Sequence, residues 1–135
     1  MKEFILDKNE LNELFKYLPS NGVILLQGDL ASGKTTLAQY LGKFLNISKE
    51  INSPTYSIMQ SYPLKKGMFY HYDIYQEGFE GLLKNGLIEN FFEDGIHLVE
   101  WGDEKLKKYL DKYEIFNIIL KIIPYEDKRK YIIYE

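Results

Sequence analysis

The pattern of apolar and polar positions predicts that strands and helices alternate along the first third of the chain. Residues 4–6 are apolar and predict a short strand. Asp7 and Glu10 then resemble a capping box at the start of a helix. That helix carries its apolar residues at helical spacing, namely Leu11, Leu14, Phe15 and Leu18. The run Gly22–Gln27 is apolar on both faces, which is typical of a buried parallel strand.

A second amphipathic helix and a series of strands follow. The helix is predicted to run to about Asn46, with one apolar face formed by Leu37, Ala38, Leu41, Phe44 and Leu45. The next segments predict a hairpin, with an edge or antiparallel strand at 56–62, a loop at 63–67 and a returning strand at 68–75. A broken helix at 78–94, a buried strand at 96–101 and a short helix at 103–110 are predicted to follow. The chain is predicted to close with strands at 115–123 and 131–134, separated by a turn at 124–127.

The spacing G-x-x-x-x-G-K-T occupies the junction between the apolar strand and the second helix, from Gly28 to Thr35. In a phosphate-binding loop, backbone N–H groups surround phosphate oxygens and the helix N-terminus faces them. Lys34 is expected to reach the β- and γ-phosphates, and the Thr35 hydroxyl to bind Mg²⁺. The alternative is an ordinary glycine turn before a helix, but the flanking strand and helix favour nucleotide binding. The predicted nucleotide-binding residues are Asp29, Leu30, Ala31, Ser32, Gly33, Lys34, Thr35 and Thr36.

This motif predicts an α/β fold of the P-loop NTPase type. We expect a three-layer sandwich with a mostly parallel central sheet, helices on both faces and antiparallel strands at the edges. With 135 residues, the chain has the length of one domain, so we expect residues 1–135 to form a single P-loop ATPase domain.

Composition and charge restrict the function further. The sequence has no cysteine, which excludes disulfides and fits a reducing compartment. We find no apolar run long enough to cross a membrane and expect a cytoplasmic protein. The net charge of −3 argues against tight direct binding to nucleic acid. A role near RNA is therefore expected to act through a protein partner.

Two carboxylates are candidates for binding Mg²⁺ and for orienting the attacking water. A P-loop enzyme needs an acidic group near Mg²⁺, usually at the end of a neighbouring strand. Asp73 lies in an apolar run, where a carboxylate is costly to bury without a partner such as a metal ion. Glu100 ends a strand and is expected to orient the attacking water or to contact the metal through water. The alternative for both is an exposed carboxylate. We predict Lys34, Asp73 and Glu100 as catalytic residues, and Thr35, Asp73 and Glu100 as the metal site.

Three further side chains bear on the site. We interpret His71 as a packed, structural histidine. Trp101 either lines the nucleotide site or caps the core. Arg129 is the only arginine in the sequence, although phosphoryl-transfer sites commonly use a guanidinium to stabilise the transition state. We therefore expect slow turnover by the chain alone, with a partner supplying the missing charge or geometry.

Four ordered segments resemble the TsaE (YjeE) family: residues 28–36, Ser53-Pro54-Thr55-Tyr56, residues 71–75 and Val99-Glu100-Trp101. The resemblance extends from about Lys8 to the closing strands. It implies a small bacterial ATPase that uses ATP and Mg²⁺ and is needed for threonylcarbamoyl modification of adenosine 37 in tRNA. It further implies that TsaB and the transferase TsaD are partners, and that tRNA is reached only through them.

The resemblance also implies residue roles. Lys34 and Thr35 would bind phosphate and Mg²⁺, Asp73 would be a metal-associated acid, and Glu100 would be needed for hydrolysis. Thr55 would belong to a switch-like segment that senses the nucleotide.

The chain departs from the family pattern at two positions. Ala31 replaces the usual glycine within the loop, and Gln76 replaces the arginine that commonly follows the Asp-Leu-Tyr segment. The second change leaves the role of that arginine unfilled, or moved to Arg129 or a partner. Two alternatives to an ATPase remain open: a small-molecule kinase, which normally has an arginine-bearing lid, and a nucleotide-dependent binding switch with incidental hydrolysis.

Overall fold

The computed structural model describes residues 1–29, 33–51 and 58–135, and these contain seven strands and four α-helices. The strands are β1 (Lys2–Leu6), β2 (Gly22–Gln27), β3 (Met59–Pro63), β4 (Met68–Asp73), β5 (Ile96–Glu100), β6 (Asn117–Tyr125) and β7 (Lys128–Tyr134). The helices are α1 (Leu11–Phe15), α2 (Lys34–Phe44), α3 (Gly78–Lys84) and α4 (Glu104–Lys112), with 3-10 helices at Lys8–Glu10 and Ile88–Phe92.

The strands form one mixed sheet in the order β1-β7-β6-β2-β5-β4-β3. The four central neighbours β6, β2, β5 and β4 run parallel to one another. The flanking strands β1, β7 and β3 pair antiparallel. The predicted α/β fold with a parallel centre and antiparallel edges is therefore confirmed.

Two apolar clusters cover the two faces of the sheet. Helices α1 and α2 contribute to one cluster through residues such as Leu14 and Leu37. On the other face, α3 contributes Leu82 and α4 contributes Leu106 and Leu110. The sheet is thus a middle layer between two helical layers. Strand β2 contacts both clusters, and its residues Val23 to Leu26 are all 0% exposed, as its two-sided apolar sequence predicts.

Local sequence signals explain where the first elements begin and end. The side chain of Asp7 accepts a hydrogen bond from the backbone N–H of Asn9, and the side chain of Glu10 accepts one from the N–H of Asp7. This is the predicted capping box. The predicted hairpin also forms, because β3 and β4 pair antiparallel around residues 64–67.

Several boundaries differ from the sequence prediction. The turn predicted at 124–127 is wrong in its first half, because Pro124 and Tyr125 lie in β6 and the turn is confined to Glu126 and Asp127. Strand β2 pairs with β6 only as far as Lys121, so the proline lies where β6 has one neighbouring strand, a position in which proline is tolerated. Strand β4 ends at Asp73 rather than at residue 75. Of the strand predicted at 56–62, residues 56 and 57 lie outside the described ranges.

The topology positions the candidate site at one edge of the sheet. The carboxyl ends of the parallel strands β2, β5 and β4 meet there, and the loop between β2 and α2 begins at the same edge. Ligands of open parallel sheets bind at this edge. Within the described ranges, no helix is long and apolar enough to cross a membrane.

Candidate active site

The phosphate-binding motif joins the buried strand β2 to helix α2. Gly33 precedes the helix with φ of 106°, in the left-handed region that glycine adopts at little cost. Its carbonyl oxygen accepts a hydrogen bond from the backbone N–H of Leu37 at 2.9 Å and so begins the helical pattern. The predicted nucleotide-binding residues Leu30, Ala31 and Ser32, and the predicted switch residue Thr55, lie outside the described residues.

Lys34 lies at the start of α2 and is only 5% exposed. Its ammonium donates hydrogen bonds to the carbonyl oxygens of Gly28 at 2.7 Å and Asp29 at 2.8 Å. The same nitrogen lies 3.7 Å from the centroid of the Trp101 ring, which is a cation–π contact. Burial lowers the pKa of Lys34, and the carboxylates of Glu100, Asp29 and Asp73 oppose that shift. Two hydrogen bonds and a cation–π contact therefore hold the Lys34 ammonium close to the carbonyl oxygens of Gly28 and Asp29.

The two predicted acids are neighbours in the sheet. Asp73 and Glu100 end the adjacent parallel strands β4 and β5 and are directly opposite each other in the register. Glu100 is 2% exposed, so it is not the exposed strand-end carboxylate that was the alternative. The hydroxyl of Thr35 donates to Glu100, with Oγ1 at 3.1 Å from Oε1 and 3.4 Å from Oε2. The structure thus joins the predicted Thr35 and Glu100 directly.

His71 also reaches Glu100. The side chain is 0% exposed, as expected for a packed histidine, and its Nε2 lies 2.6 Å from Oε2 of Glu100. Because the carboxylate oxygen accepts, Nε2 is the donor. Its Nδ1 is buried and has no hydrogen-bond partner among the described residues. The sequence indicated the packing but not the partner, since β4 and β5 are separated by 22 residues of chain.

Asp73 is half-buried at the end of β4. Its Oδ1 accepts a hydrogen bond from the backbone N–H of Tyr75 at 3.1 Å, which turns the chain away from the sheet. Burial raises the pKa of Asp73, and the nearby Glu100 carboxylate adds to that shift, while the Tyr75 N–H opposes it. A carboxylate in this environment gains from a cation placed beside it.

Lys34, Thr35, Asp73 and Glu100, but not His71, line one cleft of about 410 Å³. The lining residues are Gly33, Lys34, Thr35, Thr36, Asp73, Tyr75, Glu100, Trp101 and Arg129. Of the predicted residues, Asp29 contacts the ammonium of Lys34 through its carbonyl oxygen. Trp101 lines the cleft, and its ring packs against that of Tyr75 with centroids 4.6 Å apart. This favours the first of the two interpretations given for the tryptophan.

Tyr75 lines the cleft although the sequence did not assign it to the site, and Arg129, which was one of the alternatives left open for the family arginine, also borders it. The turn between β6 and β7 returns the chain to the edge where the phosphate-binding loop begins. The signal available in the sequence was the presence of a single arginine just after a predicted turn, but the pairing of β7 with β6 could not be read from it.

The residues of the cleft fit a magnesium–nucleotide ligand. Mg²⁺ is usually bound by one or two carboxylates together with hydroxyl, phosphate and water oxygens. Thr35, Asp73 and Glu100 supply oxygen donors of that kind on one side of the cleft. Within the described residues, no group of three or more His, Cys, Asp or Glu side chains is placed to hold a metal ion. A Mg²⁺ ion held by Thr35, Asp73 and Glu100 would need further oxygen ligands, such as phosphate and water.

Comparison with protein families gives one match that spans nearly the whole chain. The model of the family described as "Threonylcarbamoyl adenosine biosynthesis protein TsaE" matches residues 7–131.

Curated proteins named tRNA threonylcarbamoyladenosine biosynthesis protein TsaE are also similar. The one from Synechocystis sp. is 44% identical over 80 residues, which cover 56% of this chain and 51% of that protein. The one from Aquifex aeolicus is 34% identical over 142 aligned positions, which cover 99% of this chain and 96% of that protein. The aligned region therefore spans about half the length of the Synechocystis relative and nearly all of the Aquifex one.

The fold is also found in a solved structure. The crystal structure of YdiB from Bacillus subtilis superposes with a TM-score of 0.62 and covers 98% of this chain and 84% of that chain, at 24% sequence identity. This likeness supports the α/β architecture described above.

Proposed function

The chain belongs to the TsaE family of threonylcarbamoyl adenosine biosynthesis proteins, and on this basis we propose that it is the Mg²⁺-dependent ATPase subunit of a tRNA-modifying system. Its relatives are named for the biosynthesis of threonylcarbamoyladenosine in tRNA. The proposed partner is a protein complex of the TsaB–TsaD type, in which TsaD transfers the threonylcarbamoyl group to adenosine 37. The proposed location is the cytoplasm, and tRNA is contacted only through the partners.

One observation supports the ATPase proposal more strongly than any other observation does. A single cleft brings together an ammonium at the start of a helix, a hydroxyl one residue later and two carboxylates on neighbouring strands. Phosphoryl transfer depends on positioning and electrostatic stabilisation by groups of these kinds. The cleft combines them without any contribution from another chain.

Each side chain has a proposed role. Lys34 donates to phosphate oxygens in place of the carbonyl oxygens of Gly28 and Asp29. Thr35 and Asp73 would hold Mg²⁺, with Glu100 close to both. When bound, Mg²⁺ neutralises charge on the phosphates. Glu100 accepts a hydrogen bond from the attacking water and so orients it, while His71 and Thr35 fix the carboxylate.

A reconstituted modification assay tests this function. The purified chain is added to a TsaB–TsaD complex with tRNA, ATP, Mg²⁺ and the threonylcarbamoyl donor, and the modified adenosine is measured over many turnovers. We expect the wild-type chain to raise the yield per complex at least about tenfold, because hydrolysis resets the complex. Lys34→Ala removes the main phosphate donor and is expected to abolish that stimulation.

Lys43→Ala provides a matched control for this assay. Lys43 lies in the last turn of the same helix α2 and is exposed, away from the cleft. Its removal is expected to leave the stimulation unchanged. Equal stimulation by wild type and Lys34→Ala, or no stimulation by the wild-type chain, would contradict the proposed function.

A further inference from the structure

Strand β7 directs Arg129 toward the face of the sheet that α1 and α2 cover. In the register, Arg129 is opposite Leu6 of β1 and Pro124 of β6. Successive side chains of a strand point to opposite faces, so Arg129 shares a face with Tyr131, which belongs to the cluster beneath α1 and α2. Lys130 points to the other face, where its ammonium lies 3.4 Å from the carboxylate of Glu3.

The Arg129 side chain reaches the start of α2. Its Nε lies 3.9 Å from the point that a Cβ atom on Gly33 would occupy. Its Nη1 donates to the carbonyl oxygen of Lys128 at 3.2 Å, which restrains one end of the guanidinium. The residue is half-buried and lines the same cleft as Lys34, Thr35 and Thr36. The guanidinium therefore lies beside Gly33, at the start of α2.

The strand order gives the cleft an acidic and a basic side. Strands β5 and β4, which carry Glu100 and Asp73, lie on one side of β2. Strands β6 and β7, which bring in Arg129, lie on the other side. Lys34 follows β2 itself and lies between them. A ligand that spans the cleft thus meets carboxylates at one end and a guanidinium at the other.

An extended polyanion with a bound cation matches this distribution of charge. The end of the ligand that carries the divalent cation would face the carboxylates, and its remaining anionic groups would face Arg129. Guanidinium groups bind phosphate oxygens through charge-assisted, often bidentate, hydrogen bonds. The α2 N-terminus, whose partial positive charge is beside the same groups, adds to the attraction for an anion.

We propose that Arg129 is a second nucleotide-binding cation, which contacts the phosphate chain from the side opposite Asp73 and Glu100. This inference rests on the proposed function and extends it, because it assigns to Arg129 a phosphate contact whose source the sequence left open between this chain and a partner. Arg129 acts on the bound nucleotide in the ground state. Its loss therefore weakens binding of ATP and ADP even when no partner protein is present.

Calorimetric titration of the purified chain tests the proposal. ATP, ADP and inorganic tripolyphosphate are titrated, with and without Mg²⁺, into the wild type, Arg129→Gln and Lys130→Gln. We expect Arg129→Gln to raise the Kd of all three ligands at least about tenfold, the usual size of a lost charge-assisted contact. Lys130→Gln removes the same charge from the next residue, on the other face of the sheet, and is expected to change each Kd less than about twofold.

Three results would overturn the inference. The first is an unchanged Kd in Arg129→Gln, whatever happens to turnover. The second is an equal loss in Lys130→Gln, which would indicate a general effect of net charge. The third is a loss for ATP and ADP but not for tripolyphosphate, which would place the contact at the base or ribose. Wild-type protein that binds ATP but never hydrolyses it would contradict the ATPase proposal alone, whereas wild type that binds none of the three ligands would reject both.

Discussion

Glu100 is fixed from two sides inside the sheet. His71 Nε2 donates to Oε2 at 2.6 Å, and the Thr35 hydroxyl donates to Oε1 at 3.1 Å. With its proton on Nε2, the His71 ring leaves Nδ1 buried without a partner in the described part of the chain. These hydrogen bonds orient a carboxylate that matters for the proposed hydrolysis.

Replacing His71 tests whether it positions Glu100. Phenylalanine removes the donor, so His71→Phe is expected to lower kcat for ATP about tenfold or more, as loss of an orienting partner does. Glutamine retains an N–H donor, so His71→Gln is expected to recover most of kcat. Steady-state phosphate release gives kcat, and titration followed by the fluorescence of the single tryptophan, Trp101, gives the Kd for ATP.

The Kd for ATP is expected to stay within about threefold of wild type in both variants, because His71 does not line the cleft. Equal losses of kcat in His71→Phe and His71→Gln would show that the ring acts through packing alone.

At the scale of elements, a buried hydrogen-bond network joins β4 and β5 to the 3-10 helix Ile88–Phe92. The side chain of Asn90 donates to the Tyr72 hydroxyl at 2.7 Å, and that hydroxyl lies 2.6 Å from Nδ1 of His97. The His97 Nε2 lies 2.8 Å from the carbonyl oxygen of Glu93. A neutral His97 that donates through Nε2 and accepts through Nδ1 satisfies every contact. Burial lowers the pKa of His97, and the Glu93 carbonyl opposes that shift.

This network predicts a loss of stability in mild acid. The ordinary pKa of histidine is 6.5 and the folded value lies below it, so the unfolded chain binds the proton first as the pH falls. The free energy of unfolding therefore decreases below pH 6.5 until the folded pKa is reached, by up to about 1.4 kcal/mol per pH unit. Urea unfolding at pH 7.5 and pH 5.5 measures the effect.

His97→Gln should reduce the difference between the two pH values, since glutamine does not titrate. Carboxylates titrate in both proteins, so the comparison between variants isolates His97. An identical pH dependence in wild type and His97→Gln would contradict the neutral, buried histidine.

Across the whole molecule, sheet topology assembles the site from segments that are far apart in sequence. Parallel pairing of β2, β5 and β4 brings Lys34, Glu100 and Asp73 to one edge. The antiparallel return of β7 brings Arg129 to the same cleft. The net charge of the chain is −3, yet Lys34 and Arg129 line the same cleft. The proposed nucleotide binding therefore depends on the arrangement of charges rather than on their sum.

Local signals in the sequence were sufficient for one part of this arrangement. The two-sided apolar run and the amphipathic spacing predicted β2 and α2, because these features depend on residues that are adjacent in the chain. The phosphate-binding loop between them stays a prediction, since residues 30–32 lie outside the described ranges. Periodicity also predicted that Glu100 ends its strand, whereas Asp73 was expected inside a strand running to residue 75 and instead ends β4. The direct opposition of the two carboxylates in the register was not predicted.

Long-range pairing explains what the sequence did not predict. The contact between His71 and Glu100 depends on which strand lies next to β4, and the approach of Arg129 to Gly33 depends on a hairpin that extends through Pro124. Neither is encoded by local periodicity. Pro124 was predicted to end the strand. It lies within β6 instead, because β2 does not pair with β6 beyond Lys121 and a proline is tolerated where one side of the strand has no neighbour.

The rate of ATP hydrolysis tests most directly the proposal that the chain is an ATPase whose hydrolysis depends on Glu100. Phosphate release is measured at saturating ATP and Mg²⁺ for the chain alone and with a TsaB–TsaD complex, using wild type, Glu100→Gln and Glu104→Gln. Glu104 is an exposed carboxylate in the first turn of α4 and serves as the matched control.

We expect slow hydrolysis by the wild-type chain, stimulation by the complex, and a loss of about a hundredfold or more in Glu100→Gln with ATP binding retained. Glu104→Gln should match wild type. Hydrolysis that continues unchanged in Glu100→Gln, or its absence from the wild-type chain even with the complex, would contradict an ATPase site built on Glu100.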